Sequence, residues 1–177
     1  PYVIIRDYDR SAPLGTGKYK VGGNYAASMQ ANHLAHEKGY ACEFYLDAKE
    51  KKYMDECGAA NFFGIKNNTY VTPKSTSILP SITNKSLMQL AEDFGMKVER
   101  RQIPEEELET FEEAGACGTA AVISPISYID DIDTGKRFTF SKDGKPGPVS
   151  LKLYTQLRNI QYGIEPDTHG WTKVIIE

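Results

Sequence analysis

The chain has 177 residues, of which 40% are hydrophobic and 25% charged, and its formal net charge is −3. These values are typical of one globular domain with its own core, and the near-neutral charge argues against a nucleic-acid partner. No apolar run approaches the roughly 20 residues of a membrane span, and no signal peptide opens the sequence, so we predict a cytoplasmic protein.

The N-terminal part predicts a strand, a glycine-rich loop and a helix. Residues 2–8 are rich in β-branched and aromatic side chains, which favour a strand or an extended entry segment. A loop with several glycines follows over residues 11–23. Asn24 is expected to cap a helix that runs to Lys38, with Gly39 as its stop.

The middle of the chain predicts strands around one amphipathic helix. Two of the strands are expected to form a hairpin that turns at Asn67 and Asn68. The helix is expected over residues 83–94, where the apolar positions share one face and Gly95 ends the pattern. The predicted strands are 42–47, 53–56, the two arms of 61–73, and 97–103.

The C-terminal part predicts a further helix pair and short strands. Pro104 is expected to open an acidic helix, because proline and carboxylates suit that end of a helix. Another helix is expected from Val149 to Tyr162, stopped by Gly163. Strands are expected at 120–126, in a hairpin around 137–140, and at the tail 172–177. The fold class is therefore α/β in the mixed α+β sense, without a regular βαβ alternation.

Two familiar ligand motifs are absent. The segment Gly15–Lys18 lacks the first glycine and the Ser or Thr of a phosphate-binding loop, and Lys20 stands where a dinucleotide loop needs a glycine. The three histidines have no metal-ligand spacing, and we predict no metal site. The cysteines form no CxxC, which favours free thiols. The histidines are His33, His36 and His169, and the cysteines are Cys42, Cys57 and Cys117.

Lys20 and two turns are candidates for ligand binding. Glycines beside Lys20 would let the backbone approach a ligand closely, and Tyr25 could reach the same ligand. The helix that begins near Ile82 and Thr83 has free N–H groups that suit an anion. The turn at Thr119 can present N–H groups in the same way. Taken one at a time, these features are better explained by a solvated lysine, a plain helix cap and an ordinary turn.

Five segments in order resemble the class IV, fold-type IV pyridoxal-phosphate aminotransferases, and most closely the bacterial branched-chain-amino-acid aminotransferases. They are GTGKYKVGGNYAAS, ECGAANFF, ILPSITNKSL, KVERR and ACGTAAVISP. The resemblance covers nearly the whole chain. It implies the C-terminal large domain of the D-amino-acid-aminotransferase-like fold, a mixed sheet or pseudo-barrel flanked by helices. Residues 1–14 would then be the interdomain connection and entry strand, and residues 15–177 the cofactor-binding domain.

The resemblance also implies roles for individual residues toward pyridoxal 5′-phosphate. Lys20 matches the lysine that forms the Schiff base and catalyses proton transfer, and Tyr25 the tyrosine at the phenolic oxygen. Glu56 matches the acid at the pyridine nitrogen. The remaining matches are Leu79 on the ring face, Ile82, Thr83 and Thr119 around the phosphate, and Thr119 with Ala120 around the substrate carboxylate.

The activity implied is transamination of Leu, Ile and Val with 2-oxoglutarate by a homodimer or higher homo-oligomer. D-amino-acid aminotransferase, aminodeoxychorismate lyase and a non-catalytic cofactor-binding fragment remain alternatives. The family's N-terminal domain has no counterpart here, so the chain alone is expected to be weak or inactive. Ala121 and Ser124 occupy the positions of the redox CxxC of mammalian members, and Ala59 stands where many relatives have Thr.

Overall fold

The computed structural model describes residues 1–175, and within them ten strands form one mixed sheet against which three α-helices pack. The helices are α1 (Gly22–Glu37), α2 (Ile82–Asp93) and α3 (Pro148–Gln161), and a 3-10 helix spans Glu105–Thr110. The strands are β1 (Tyr2–Ile4), β2 (Cys42–Leu46), β3 (Met54–Cys57), β4 (Ala60–Lys66), β5 (Thr69–Pro73), β6 (Lys97–Arg101), β7 (Glu113–Gly118), β8 (Val122–Pro125), β9 (Tyr128–Asp131) and β10 (Lys136–Thr139). None of the helices described is long and apolar enough to cross a membrane.

The sheet combines parallel and antiparallel pairs, as the predicted mixed α/β class requires. Its order is β10-β9-β1-β2-β3-β4-β5-β6, and β7 pairs with both β4 and β8. Strand β1 runs parallel to β2 and β9, and β5 runs parallel to β6, while the other pairs are antiparallel. The first strand of the chain therefore lies inside the sheet, and the predicted fold class is confirmed.

Local signals located most turns correctly. Asn67 and Asn68 join β4 to β5 with φ angles of 46° and 55°, so the predicted hairpin is confirmed. Both residues occupy the left-handed region that Asn tolerates best after Gly. The stops that we expected at Gly39, Gly95 and Gly163 follow α1, α2 and α3.

Several expectations were wrong because contacts distant in sequence override local pattern. The acidic helix after Pro104 is only a six-residue 3-10 helix, since the chain then enters β7 beside β4. We did not predict β7, whose sequence EAGACG has low strand propensity. A side chain at Gly115 would clash with the Phe63 ring, 2.5 Å from its Cβ position, so packing selects glycine there.

Two terminal expectations also differ. Strand β1 ends at Ile4 instead of continuing to Tyr8. No strand forms over residues 172–175, and the last two residues of the expected tail strand lie outside the described residues.

The two faces of the sheet are used differently. Side chains alternate between the faces along each strand. On one face Phe44 and Phe62 meet edge to face, with ring centres 5.1 Å apart, inside an apolar core. On the other face Tyr45 is buried with α1, and Phe63 is buried with α2 and α3. The second face is therefore covered by α1 on one side and by α2 and α3 on the other, with strands β3 and β4 between them.

Candidate active site

A β-bulge places two carboxylates between α1 and α2. Phe44 pairs with Cys57 and Leu46 with Met54, so two residues of β3, Asp55 and Glu56, oppose Tyr45 alone. Such bulges redirect side chains and are frequent beside active sites. Glu56 pairs across the sheet with Asn61, which belongs to the same face as Phe63. Glu56 is therefore directed into the space between the helices.

Glu56 is almost fully buried, at 1% exposure, and has charged and polar partners. Its Oε2 lies 2.6 Å from Arg10 Nη2, and its Oε1 accepts a hydrogen bond of 2.8 Å from Asn61 Nδ2. The Leu79 N–H donates to Oε2 at 3.4 Å. Burial raises the pKa of Glu56 to about 7, although the Arg10 charge opposes the rise. A positive partner at this carboxylate would favour its ionised form.

Arg10 is a site residue that sequence reasoning missed. Arg10 is 8% exposed, and its guanidinium also donates to the Ser77 carbonyl at 2.6 Å and to the Gly17 carbonyl at 3.4 Å. It therefore joins the loop before Lys20 to the loop before α2. The one available signal was that a buried Glu56 needs a cationic partner. Nothing in the sequence selects Arg10 among the cations.

Asn61 and Asn84 form a second unpredicted connection. Asn84, in the first turn of α2, donates to Asn61 Oδ1 at 3.1 Å and to Thr72 Oγ1 at 2.9 Å, and it accepts from the Tyr70 hydroxyl at 2.8 Å. Asn61 in turn donates to Glu56. Buried side-chain amides satisfied on both sides rigidify their surroundings. This chain of hydrogen bonds fixes the start of α2 relative to the Glu56 carboxylate.

The start of α2 has free donors. Ser81 caps the helix, because its Oγ accepts from the Asn84 N–H and its carbonyl accepts from Lys85. Within residues 1–175, the amides of Ile82 and Thr83 donate no hydrogen bond to the protein. Ile82 is also 72% exposed. These amides can receive an anion at the positive end of the helix.

The Lys20 loop is held by a residue that we had expected to cap α1. The N-cap of α1 is Val21, so the prediction of Asn24 as the cap was wrong. The Asn24 side chain instead donates to the carbonyls of Thr16 and Tyr19, both at 2.9 Å. The loop is thereby fixed immediately before the exposed Lys20, whose Nζ lies 5.7 Å from the ring centre of Tyr25.

An open cleft of about 630 Å³ brings Lys20 and Tyr25 together with the β7–β8 turn. Thr119 and Ala120 of that turn line it directly, and Cys57, the neighbour of Glu56, lines it from β3. Leu79, Ile82 and Thr83 are not among its lining residues. Ile82 and Thr83 open α2, and Leu79 lies in the loop before it. The lining residues are Tyr2, Lys20, Tyr25, Ala41, Cys42, Cys57, Ala59, Ala60, Ala116, Cys117, Gly118, Thr119, Ala120, Ala121 and Ser124.

All three cysteines line this cleft, and they are free thiols. Burial raises the pKa of Cys42 and of Cys117 to about 12 and raises the pKa of Cys57 as well. Protonated thiols are poor nucleophiles and poor metal ligands. They contribute small, weakly polar surface to the wall of the cleft.

Comparison with known proteins identifies the class to which this fold and cleft belong. The family model for amino-transferase class IV matches residues 1–129, and the chain belongs to that family. Within it, the chain is 48% identical over 175 residues to the branched-chain-amino-acid aminotransferase of Haemophilus influenzae, covering 95% of this chain and 50% of that protein. It is 49% identical over 170 residues to the Helicobacter pylori enzyme of the same name, covering 95% and 48%.

Solved structures give the same result. The Escherichia coli branched-chain amino acid aminotransferase superposes with a TM-score of 0.83 at 28% identity, covering 96% of this chain and 53% of that one. The T.th. branched-chain amino acid aminotransferase with pyridoxamine 5′-phosphate has a TM-score of 0.83 at 29% identity, covering 96% and 53%. The chain spans about half the length of the relatives that it matches.

The raised pKa of Glu56 predicts a pH dependence of stability for the cofactor-free protein. The ordinary value is 4.5 and the folded value about 7, so between these limits the folded chain binds more protons at Glu56 than the unfolded chain does. The free energy of unfolding therefore falls as pH rises through this window, by roughly 3 kcal/mol at 1.36 kcal/mol per pKa unit. Urea unfolding at pH 5 and pH 8 should show this difference.

Glu56→Gln is the control for that measurement. It cannot titrate, so the part of the pH difference that Glu56 contributes should disappear. The variant also leaves Arg10 without its ionic partner at both pH values. The comparison therefore uses the change in the free energy of unfolding between pH 5 and pH 8, not its absolute value. An identical pH difference in wild type and variant would contradict the assignment.

Proposed function

We propose that this chain binds pyridoxal 5′-phosphate and supplies Lys20 as its covalent attachment point in an aminotransferase that exchanges amino groups between Leu, Ile or Val and 2-oxoglutarate. The observation that carries the proposal is the cleft in which Lys20 and Tyr25 meet the turn of Thr119 and Ala120, beside the buried Glu56. The branched-chain relatives over 95% of the chain support the substrate class.

The polar groups of the site fit this cofactor. Glu56 offers a buried carboxylate for the ring nitrogen. Because burial raises the pKa of Glu56, a positive charge on that nitrogen would favour the ionised carboxylate. The free amides of Ile82 and Thr83 suit a phosphate. The Lys20 amine can attach covalently to the aldehyde carbon of the cofactor, and the Tyr25 hydroxyl can hydrogen-bond to the cofactor's phenolic oxygen. Leu79, beside Glu56, would pack on the ring.

When bound, the cofactor draws electron density away from the substrate α-carbon. The residues of the chain do the rest. With the cofactor bound, the Glu56 carboxylate would keep the ring nitrogen protonated. Lys20 Nζ would take the proton from the substrate α-carbon as a base and would later give one back as an acid. The amides of Thr119 and Ala120 hold the substrate carboxylate so that the α-proton lies near Lys20.

Three other functions are distinguishable by experiment. A D-amino-acid aminotransferase would use D-alanine in preference to L-leucine, and an aminodeoxychorismate lyase would release pyruvate without an amino acceptor. A cofactor-binding fragment would form the coloured adduct without turnover. The exposed apolar side chains of Leu14, Met29 and Ile82 support a contact with another part of a longer protein or with a second copy in a homodimer.

Borohydride trapping tests the proposal. Addition of pyridoxal 5′-phosphate should give a visible absorption band that borohydride bleaches, and peptide mapping should find the pyridoxyl group on Lys20. Lys18 is the internal comparison, since it lies two residues away and is also exposed. An adduct on Lys18, or no adduct, would overturn the assignment. A panel of L-leucine, L-isoleucine, L-valine and D-alanine with 2-oxoglutarate then defines the substrate.

A further inference from the structure

Val122 has an unusual backbone conformation at the edge of the cleft. Its φ angle is 62°, in the left-handed region, where a β-branched residue is a rare outlier. The Ile123 N–H donates to the Ala121 carbonyl at 2.8 Å, so a hydrogen bond from i+2 to i encloses Val122. Tight turns of this kind with positive φ are strained. Gly or Asn would be the usual residue at such a position.

The side chain of Val122 explains how the strain is held. Val122 is 3% exposed and belongs to the buried cluster of Phe63 and Leu153 under α3. It also pairs with Gly118, so the two residues close the loop of residues 119–121. Movement of the Val122 backbone into an ordinary strand conformation would pull the side chain out of that cluster.

The loop that Val122 closes has free donors in the cleft. Thr119, Ala120 and Ala121 are exposed and line the cleft. Within the described part of the chain, none of their three amides donates a hydrogen bond to a carbonyl or side chain. Consecutive unpaired N–H groups in a tight turn can bind an anion.

We propose that Val122 is a positioning residue, whose buried side chain holds the 119–121 loop in the shape that presents its amides to the substrate carboxylate. The identity of that ligand rests on the function proposed above. The strain is stored in the folded chain before ligand arrives, so the amides need not be ordered during binding. A glycine would adopt the same φ without strain but would not fix it.

The test compares variants of the protein at its full natural length, loaded with cofactor, using 4-methylvaleric acid as the carboxylate probe. Val122→Gly should raise the Kd of 4-methylvaleric acid by about tenfold, the effect of weakening one hydrogen bond to a charged group. The NMR order parameter of the Ala120 amide should fall from about 0.85 to below about 0.6. Val122→Thr keeps the β-branched shape but buries a hydroxyl, so it should lower the thermal midpoint while leaving both values near wild type. If Val122→Gly does not fold, Val122→Ala should change both values in the same direction.

Leu153→Ala is the matched control, because it removes three carbons from the same cluster, as Val122→Gly does. It should lower the thermal midpoint but leave Kd and the Ala120 order parameter unchanged. Equal changes in both variants, or a rigid Ala120 with unchanged Kd in Val122→Gly, would overturn the proposal. If the wild type does not bind 4-methylvaleric acid, the proposed function fails, and the order parameter alone decides the role of Val122.

Discussion

Replacing Lys20 with alanine should reduce turnover of L-leucine with 2-oxoglutarate by about 10,000-fold or more, at or beyond the upper end for one proton-transferring group. The loss is large because the amine both attaches the cofactor and moves the α-proton. Tyr25, whose ring centre lies 5.7 Å from Lys20 Nζ, has no amine and cannot replace it. The assay uses the protein at its full natural length with excess cofactor.

Lys18→Ala is the control for this prediction. Lys18 is exposed, and its ammonium lies 5.1 Å from the Tyr19 ring centre, so its loss changes the local charge without entering the proposed chemistry. Turnover of this variant should stay close to wild type. Added methylamine should restore part of the activity of Lys20→Ala, because a free amine can enter the open cleft. Equal losses in both variants would show that charge alone, not a particular amine, is needed.

Glu56→Gln should reduce turnover by about 100-fold, which corresponds to about 2.7 kcal/mol of barrier. The amide has the shape of the carboxylate and can still contact Asn61, but it carries no charge to hold the ring-nitrogen proton. Cofactor attachment to Lys20 should persist, so the absorption band and the borohydride adduct are retained while turnover falls. That separation between binding and rate is the diagnostic result.

Glu43→Gln is the matched control, since Glu43 is also 1% exposed and lies on the neighbouring strand β2. Its partner Asn32 is neutral and donates to the carboxylate at 2.9 Å. Its replacement should leave turnover near wild type. A Glu56→Gln variant with normal turnover, or an equal fall in the Glu43 variant, would refute the proposed role of Glu56.

The sequence predicted those parts of the fold and site that depend on neighbouring residues. The Asn67-Asn68 hairpin was predictable because both residues tolerate a positive φ. Lys20, Tyr25 and the Thr119 turn were identified from short motifs, and the cleft does bring these residues together. Their chemical roles remain predictions.

What the sequence did not show depends on partners that are distant along the chain. Arg10 and Glu56 are 46 positions apart, and many cations could have served. Asn61 and Asn84 are ordinary polar residues until β4 and α2 pack together and bury both. Strand β7 has glycine at position 115 because the Phe63 ring occupies the space over it, and β4 has Gly64 because the Phe111 ring occupies the space there. Tertiary packing set these choices, and local propensity could not reveal them.

The position of β1 affects how the chain folds during its synthesis. Tyr2–Ile4 pairs on one edge with Cys42–Phe44 and on the other with Ile129–Asp131. At typical elongation rates of about 5–20 residues per second, roughly 6–25 s pass between synthesis of the first strand and synthesis of its second partner. During that interval one edge of a buried apolar strand is unpaired, and such edges recruit other chains. Slower elongation before residue 129 should therefore favour aggregation of the nascent chain over productive folding.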